Sequence, residues 1–409
     1  MRLTEGRHRA TWIGLAIVGV TAFVYWLGNR YYNAGRGDLF YLADAFLHGR
    51  TWLEVRLGNW DIIAIGDRIY VPFGPFPAIA FMPLVALVGP VAADVFESGI
   101  NAALGASAVG LCWMLMGRLG VERVRDRLWL AALFGFSTMN WWVTTRGGVW
   151  HTGHLFGSIL SFGCLIEIWG RQRPFLIGLM AGAAFLTRAP LAFALPFYAL
   201  MIDRPATIDL PRAAGGFIRD VATRFPIRAW ATMGIAFGIS ITFFLWYNYA
   251  RFGSPFESGY GLASLPPFLQ VQRELGLFNL RHVPMNLDYL FLKVPGPLSR
   301  FPFFKPDGLG MSVFITSPGL LMALGAPWRN TRTWWLAGAA IAVLVPTLLY
   351  YGGGWIQYGY RYFLDSIPFL MALCGLAVVR AGRVSTFWSA VILVGVAVNA
   401  MGLYWAYNM

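Results

Sequence analysis

The chain has 409 residues, of which 57% are hydrophobic and only 12% charged, with a formal net charge of +13. A soluble domain carries about twice that charged fraction, so the composition excludes a soluble globular fold. The apolar residues gather in long blocks, which reads as an all-α polytopic membrane protein occupying residues 1–409 as one integral domain. The positive balance does not point to nucleic acid. Many of the arginines sit in short segments between apolar blocks: Arg2, Arg7 and Arg9, then 117–127, 171–174, 203–228, 328–332 and 380–383. That is the distribution of cytoplasmic loops.

In chain order, the first apolar run, about 10–28, lacks a small-x-small cleavage site and is long enough to span. It reads as a retained first span leaving the cytoplasm. Residues 29–96 form a first external loop with interfacial helices. Within it, "VPFGPFPAIAFMPLVALVGP" (71–90) is apolar but rich in proline, and a crossing there would turn the basic segment 117–127 outward. It is therefore expected along the outer interface. Spans follow at 97–116, 128–143 and 150–169. The block 174–202 is interrupted by Arg188 and Pro190, and reads as a hairpin of two short helices breaking at "LTRAP" near the outer surface. A span at 229–249, a second external loop at 250–310, and spans at 312–326, 333–351, 362–380 and 385–406 complete about eleven crossings. The N-terminus is then cytoplasmic, and any active site lies on the extracytoplasmic face of an inner or plasma membrane. Cys112, Cys164 and Cys374 lie inside apolar blocks and suggest packing.

The residues that could carry chemistry are ionisable groups on the outer side. "GRGDLFYLADAFLHG" (35–49) reads as a helix from Asp38, with Leu39, Leu42, Ala43 and Phe46 on one face and Asp38, Tyr41, Asp44 and His48 opposite. Asp38 suits an N-cap and equally a general base; Asp44 is an interfacial acid or a second candidate. Arg188 and Arg361 are either interface-seeking charges or phosphate ligands. His151 and His154 lie three apart at the start of a span and suit hydrogen bonding better than metal ligation. Glu257, in "RFGSPFESGYG", and Asp365 are weaker candidates. No phosphate loop, dinucleotide fingerprint, nucleophile elbow or zinc-type cysteine set is present.

The ordered set "GDLFYLADAFLHGRTWL" (37–53), "RIYVPFGPFPAIAFMPLVAL" (68–87), "GAAFLTRAP" (182–190), "WYNYARFGSPFESGYG" (246–261) and "GYRYFLDSIP" (359–368) resembles the GT-C superfamily of membrane glycosyltransferases. The branch it most resembles holds protein mannosyltransferases and lipid A aminoarabinose transferases. Asp38 falls on that family's acidic position. Leu39 stands where a second acid would be, and "PFGPFP" lacks the lysine of the aminoarabinose branch. The resemblance implies a GT-C-like fold and transfer of a sugar, hexosyl or pentosyl, from a polyprenyl-phosphate donor to an acceptor hydroxyl, with inversion. It implies Asp38 or Asp44 as the base. It places Arg188, Arg361, Tyr41, His151, His154, Glu257 and Tyr360 around the substrate. The acceptor, whether glycan, lipid or protein, is left open, as is a divalent metal such as Mg2+ or Mn2+. The competing readings are a transporter or flippase of a lipid-linked or small polar substrate, and a non-catalytic scaffold.

Overall fold

Where no water reaches the backbone, every N–H and C=O must be satisfied within its own segment, so long apolar blocks fold as helices. The structure, a computed structural model, describes residues 2–29, 38–55, 61–202, 226–301, 303–354 and 357–408, with side chains from residue 11 to 405. The basic run at 203–225, the side chains of Arg2, Arg7 and Arg9, and the Gly-Arg-Gly turn before Asp38 lie outside the described residues.

The principal helices are α1 (Arg2–Asn29), α2 (Asp38–Leu47), α3 (Phe76–Val95), α4 (Glu97–Leu119), α5 (Val124–Phe136), α6 (Asn140–Arg146), α7 (Val149–Ile168), α8 (Pro174–Thr187) and α9 (Leu195–Met201). They continue with α10 (Ile227–Phe252), α11 (Thr331–Leu349), α12 (Ile367–Ala381) and α13 (Thr386–Asn408). Two short antiparallel hairpins, Ile63–Ile65 with Arg68–Tyr70 and Gly296–Pro297 with Phe304–Lys305, are the named strands among the described residues. Among the described residues, seven helices are long and apolar enough to cross a membrane, and Pro174–Thr187, Ala189–Met201 and Ile367–Ala381 are shorter apolar segments. The class is the expected one, helical and polytopic.

Three expected spans are not single helices, and one of them, 362–380, opens as the 3-10 turn Arg361–Asp365 before α12. The stretch 128–143 breaks after Phe136, because the Thr138 hydroxyl donates to the Phe134 carbonyl (2.7 Å) and accepts from the Asn140 N–H (3.2 Å). Such side-chain bonds compete with the helical ladder. The stretch 312–326 is one turn of α-helix, Val313–Thr316, followed by a 3-10 segment, Pro318–Gly325. Proline at its start withholds an N–H from the preceding turn.

The chain does double back at "LTRAP". Arg188 is extended (φ −149°, ψ 111°) between α8 and the 3-10 segment Ala189–Ala194. Cys164 on α7 approaches the Ile177 carbonyl of α8 (3.7 Å), and Trp230 at the start of α10 donates to the Ala199 carbonyl (3.0 Å). Both limbs of the hairpin therefore return to the same end. α8 lies directly against α10: a Cβ on Gly178 would sit 2.2 Å from the Met233 carbonyl oxygen, and one on Gly182 2.3 Å from the Ser240 hydroxyl. Small residues allow such close backbone approach where lipid supplies no hydrophobic drive.

The basic connectors gather at one end. The Val384 N–H donates to Asp126 (3.1 Å), Arg380 reaches the Gly325 carbonyl (3.4 Å), and Arg332 lies 5.7 Å from the ring of Trp169. The opposite end holds the start of α7 and the ends of α8, α10 and α11. There α3 is informative. Its leading Gly74 touches the carbonyls of Leu186 and Thr187 so closely that a Cβ would lie 2.2 Å from the first. Its trailing neighbour Glu97 accepts the Gly148 N–H at 2.7 Å. Both ends of α3 thus sit at this one end of the bundle. Two helical pieces joined at a kink at Gly89 (φ 79°, ψ 162°) lie across it, packed on α2 through Phe40 and Phe81 (centroids 4.8 Å apart).

Candidate functional site

At the end opposite the basic connectors the helices open into a cavity of about 570 Å3. Its walls come from the segment between α2 and α3 (Asp61, Pro72, Phe73), the start of α7 (Trp150, His151), the α8 break (Thr187, Arg188), α10 (Phe244, Arg251), the segment after α10 (Tyr260, Leu265) and the segment 346–362. Arg146, Arg188, Arg251 and Arg361 all line it.

Local sequence explains how each group arrives. Gly147 and Gly148 take positive φ (57° and 77°), which reverses the chain between α6 and α7 and delivers His151 to the wall. His151 Nδ1 lies 2.6 Å from the Gly147 carbonyl, so that nitrogen carries the proton. Arg188 stands in the hairpin break, its N–H donating to the Ala184 carbonyl at 2.8 Å. Its Nε donates to Asp365 Oδ2 (2.7 Å), while Asp365 Oδ1 accepts from His154 Nδ1 (2.9 Å). The Arg188 and Arg361 guanidinium carbons lie 5.4 and 5.1 Å from the centroid of the Tyr362 ring. Arg251 donates to the Val71 carbonyl (2.8 Å) and to Asn248 (2.8 Å) and stacks on Tyr247 at 3.8 Å. It ties the first loop to α10. Trp150 Nε1 donates to Asp61.

The Asp365 carboxylate is fully enclosed, and its charge is met by the Arg188 guanidinium and by the His154 N–H. Burial pushes the Tyr260 hydroxyl up, with the nearby Arg188 charge opposing. Tyr260 therefore stays a neutral donor.

The cavity brings together three of the residues expected from the sequence: Arg188, Arg361 and His151. His154 stands directly behind, fully buried on Asp365. Asp38 begins α2 as expected, but it is buried, at 1% exposure, whereas the sequence pattern put it on the polar face. The buried sector of α2 also takes in Phe40 and Ala45, because α3 covers it. Leu39, not Asp38, lines the cavity. Tyr41 is half-buried beside Phe40 and Phe81, and outside the lining. Asp44 forms a surface cluster with His48 and Arg50, each at 3.7 Å. Glu257 closes its own turn by accepting the Gly259 N–H (2.6 Å), and Tyr360 is buried with its hydroxyl on the Thr347 carbonyl (3.1 Å).

The sequence reading missed Arg146, Arg251, Asp61, Tyr260 and Tyr362 and ranked Asp365 low. Arg251, Tyr260, Tyr362 and Asp365 all lie inside motifs it had singled out. A divalent cation does not fit these residues. Among the described residues no three His, Cys, Asp or Glu side chains come together, and Asp61 is the single carboxylate beside four lining arginines.

No protein-family model matches the chain, and no curated protein sequence does. Among solved structures it is similar to the oligosaccharyltransferase of Archaeoglobus fulgidus tethered through a disulfide to an acceptor peptide containing the NVT sequon. That match has 14% identity and a TM-score of 0.44, over 97% of this chain and 54% of that one. It is similar also to that enzyme in its apo form, at 15% identity and a TM-score of 0.44, over 96% of this chain and 55% of that one. The chain spans about half the length of the structures it matches.

Proposed function

We propose that the protein is a GT-C-type membrane glycosyltransferase. In this reading it moves a sugar from a polyprenyl-phosphate donor to an acceptor hydroxyl at the extracytoplasmic face, with inversion at the anomeric carbon. The observation that carries the reading is the pairing of arginine with an aromatic wall in a cavity remote from the basic connectors. Arg188 and Arg361 both lie against Tyr362, and apolar Phe185, Phe244 and Pro190 line the same space.

The chemistry follows from the parts. The donor phosphate meets the two guanidinium groups, and its polyprenyl chain lies along Phe185 and Phe244, toward lipid. The sugar ring packs on the aromatic side chains Trp150, Tyr260 and Tyr350, which offer flat apolar faces with polar edges. The acceptor oxygen attacks the anomeric carbon from the face opposite the phosphate. The carbon–oxygen bond to phosphate breaks, and its electron pair stays on the phosphate oxygen, where Arg188 and Arg361 stabilise the added charge. The acceptor proton passes to a carboxylate. Asp38, one residue from the cavity-lining Leu39, is the candidate from the sequence, and Asp61, the carboxylate that lines the cavity, is the other; Asp44 lies in its surface cluster away from the lining. No step is routed through a metal.

The test supplies purified protein in bilayers with a panel of polyprenyl-phosphate monosaccharides and crude envelope acceptors, and measures free polyprenyl phosphate. Wild type releases it from one donor, and Asp38→Asn loses about 10²-fold or more of the rate, the usual contribution of a positioned base. Full activity in Asp38→Asn removes it from that role and points to Asp61, the carboxylate of the cavity wall. The broken helices at Arg188 and Pro318 favour one second reading, a flippase. Movement of a lipid-linked substrate across the bilayer with no covalent change selects it.

A further inference from the structure

Asp365 is a carboxylate enclosed on all sides. Its side chain is 0% exposed, and each of its oxygens is engaged by a residue far away in sequence, His154 and Arg188. An enclosed ion pair is ordinarily read as a packing device. Three features argue for more.

The first is the direction of the bond. Arg188 meets Asp365 through Nε alone, and among the described residues neither terminal nitrogen of Arg188 has a hydrogen-bond partner. The strongest pairing of these two groups is the two-pronged fork, and it is not used here. The second is the asymmetry of access. The Arg188 side chain is 16% exposed and lines the cavity, whereas Asp365 does not reach it. The third is restraint. The Tyr362 ring lies 5.4 Å from the guanidinium carbon. The aliphatic stem runs over Gly153 and Gly157 of α7, where added Cβ atoms would lie 3.8 Å from its Cγ and Cδ. His154 fills the remaining carboxylate oxygen, so Asp365 cannot turn toward Arg188 with both.

We propose that Asp365 is a positioning residue. It holds Arg188 side-on, so that both terminal nitrogens face the cavity as a planar fork for two oxygens of one phosphate group. The inference rests on the reading of the cavity as the seat of a lipid-linked phosphate. It makes a prediction opposite in sign to simple electrostatics. Removing a negative charge beside an anion site tightens anion binding if charge alone matters. Removing the group that aims the fork weakens it.

The experiment uses the full-length protein in phosphatidylcholine nanodiscs and titrates farnesyl phosphate by calorimetry. Wild type binds. Asp365→Asn binds about tenfold more weakly or worse, the scale of one lost charge-assisted hydrogen bond. Arg188→Gln and the pair Arg188→Gln/Asp365→Asn bind alike, to within about twofold, because Asp365 acts only through Arg188. The pair carries no unbalanced charge, so its comparison with Arg188→Gln decides the matter even where Asp365→Asn alone fails to fold. Equal or tighter binding by Asp365→Asn overturns the proposal, as does a pair much weaker than Arg188→Gln. Folded wild type that binds no farnesyl phosphate brings down the cavity reading and this proposal together. Wild-type binding with an unaffected Asp365→Asn brings down only this one.

Discussion

Asp365 is an enclosed carboxylate with two partners, Arg188 and His154. Removing one member of a buried ion pair leaves an uncompensated charge, at a cost of about 3–5 kcal/mol. Arg188→Gln should therefore melt well below wild type, and Arg188→Gln/Asp365→Asn should recover much of that loss. Equal melting of the two variants would show that the lone carboxylate is balanced elsewhere. At this scale the sequence was partly legible. Arg188, Arg361 and His151 stand out because charged or polar groups are rare in apolar blocks, and all three line the cavity. Their partners were not legible. Arg188 and His154 meet Asp365 across 177 and 211 residues, a separation with no local signature. Asp38 looked exposed because its helix pattern shows two faces, and a pattern cannot reveal that a second helix covers part of the polar one.

Among elements, the contact between α8 and α10 sets the position of the hairpin break. A Cβ at Gly178 would meet backbone, 2.2 Å from the Met233 oxygen, so Gly178→Ala must push the helices apart. We expect a loss of about 1–3 kcal/mol, seen as a lower melting temperature in detergent, with a parallel fall in binding at Arg188. Gly157→Ala is the control. Its added Cβ crowds the end of the Leu191 side chain, at 2.9 Å, which can turn away, and makes ordinary contacts of 3.8 Å with Arg188 Cδ and Asp365 Oδ1. The gain in helix propensity, about 1 kcal/mol, offsets the adjustment and leaves stability nearly unchanged. Equal melting of the two variants would show that the α8–α10 spacing is soft. The hairpin was readable in advance because a charge and a proline inside one apolar block leave few ways to fold it. The break after Phe136 was not. It depends on the Thr138 hydroxyl choosing the backbone, and "FSTMN" is unremarkable as sequence. The 3-10 segment at Pro318–Gly325 escaped notice for a similar reason, since its apolar content is that of a span.

For the whole molecule, the gathering of basic connectors at one end and the cavity at the other predicts a sidedness. The three native cysteines are fully buried, so an introduced thiol can be read without background. Asp67→Cys, on the exposed turn between the first two strands, should react with a membrane-impermeant maleimide in intact cells. Glu122→Cys, exposed in the connector after α4, should react only after permeabilisation. The reverse pattern would place the cavity on the cytoplasmic face.

The brevity of α8 has a consequence for the membrane itself. Its 14 residues rise about 21 Å, against a hydrocarbon core of about 30 Å. Set with its first turn at the inner hydrocarbon boundary, such a helix holds the arginine at its tip below headgroup level unless the bilayer thins around it. Thickness then becomes a variable of function. In nanodiscs of short-chain lipid the headgroup plane descends to meet Arg188, and farnesyl phosphate binding should tighten. Each lengthening of the acyl chains should weaken it, at a cost of fractions of a kcal/mol per ångström of mismatch. An affinity indifferent to chain length would mean that the protein shields its own entrance, and that the host membrane has no say in how a charged lipid reaches it.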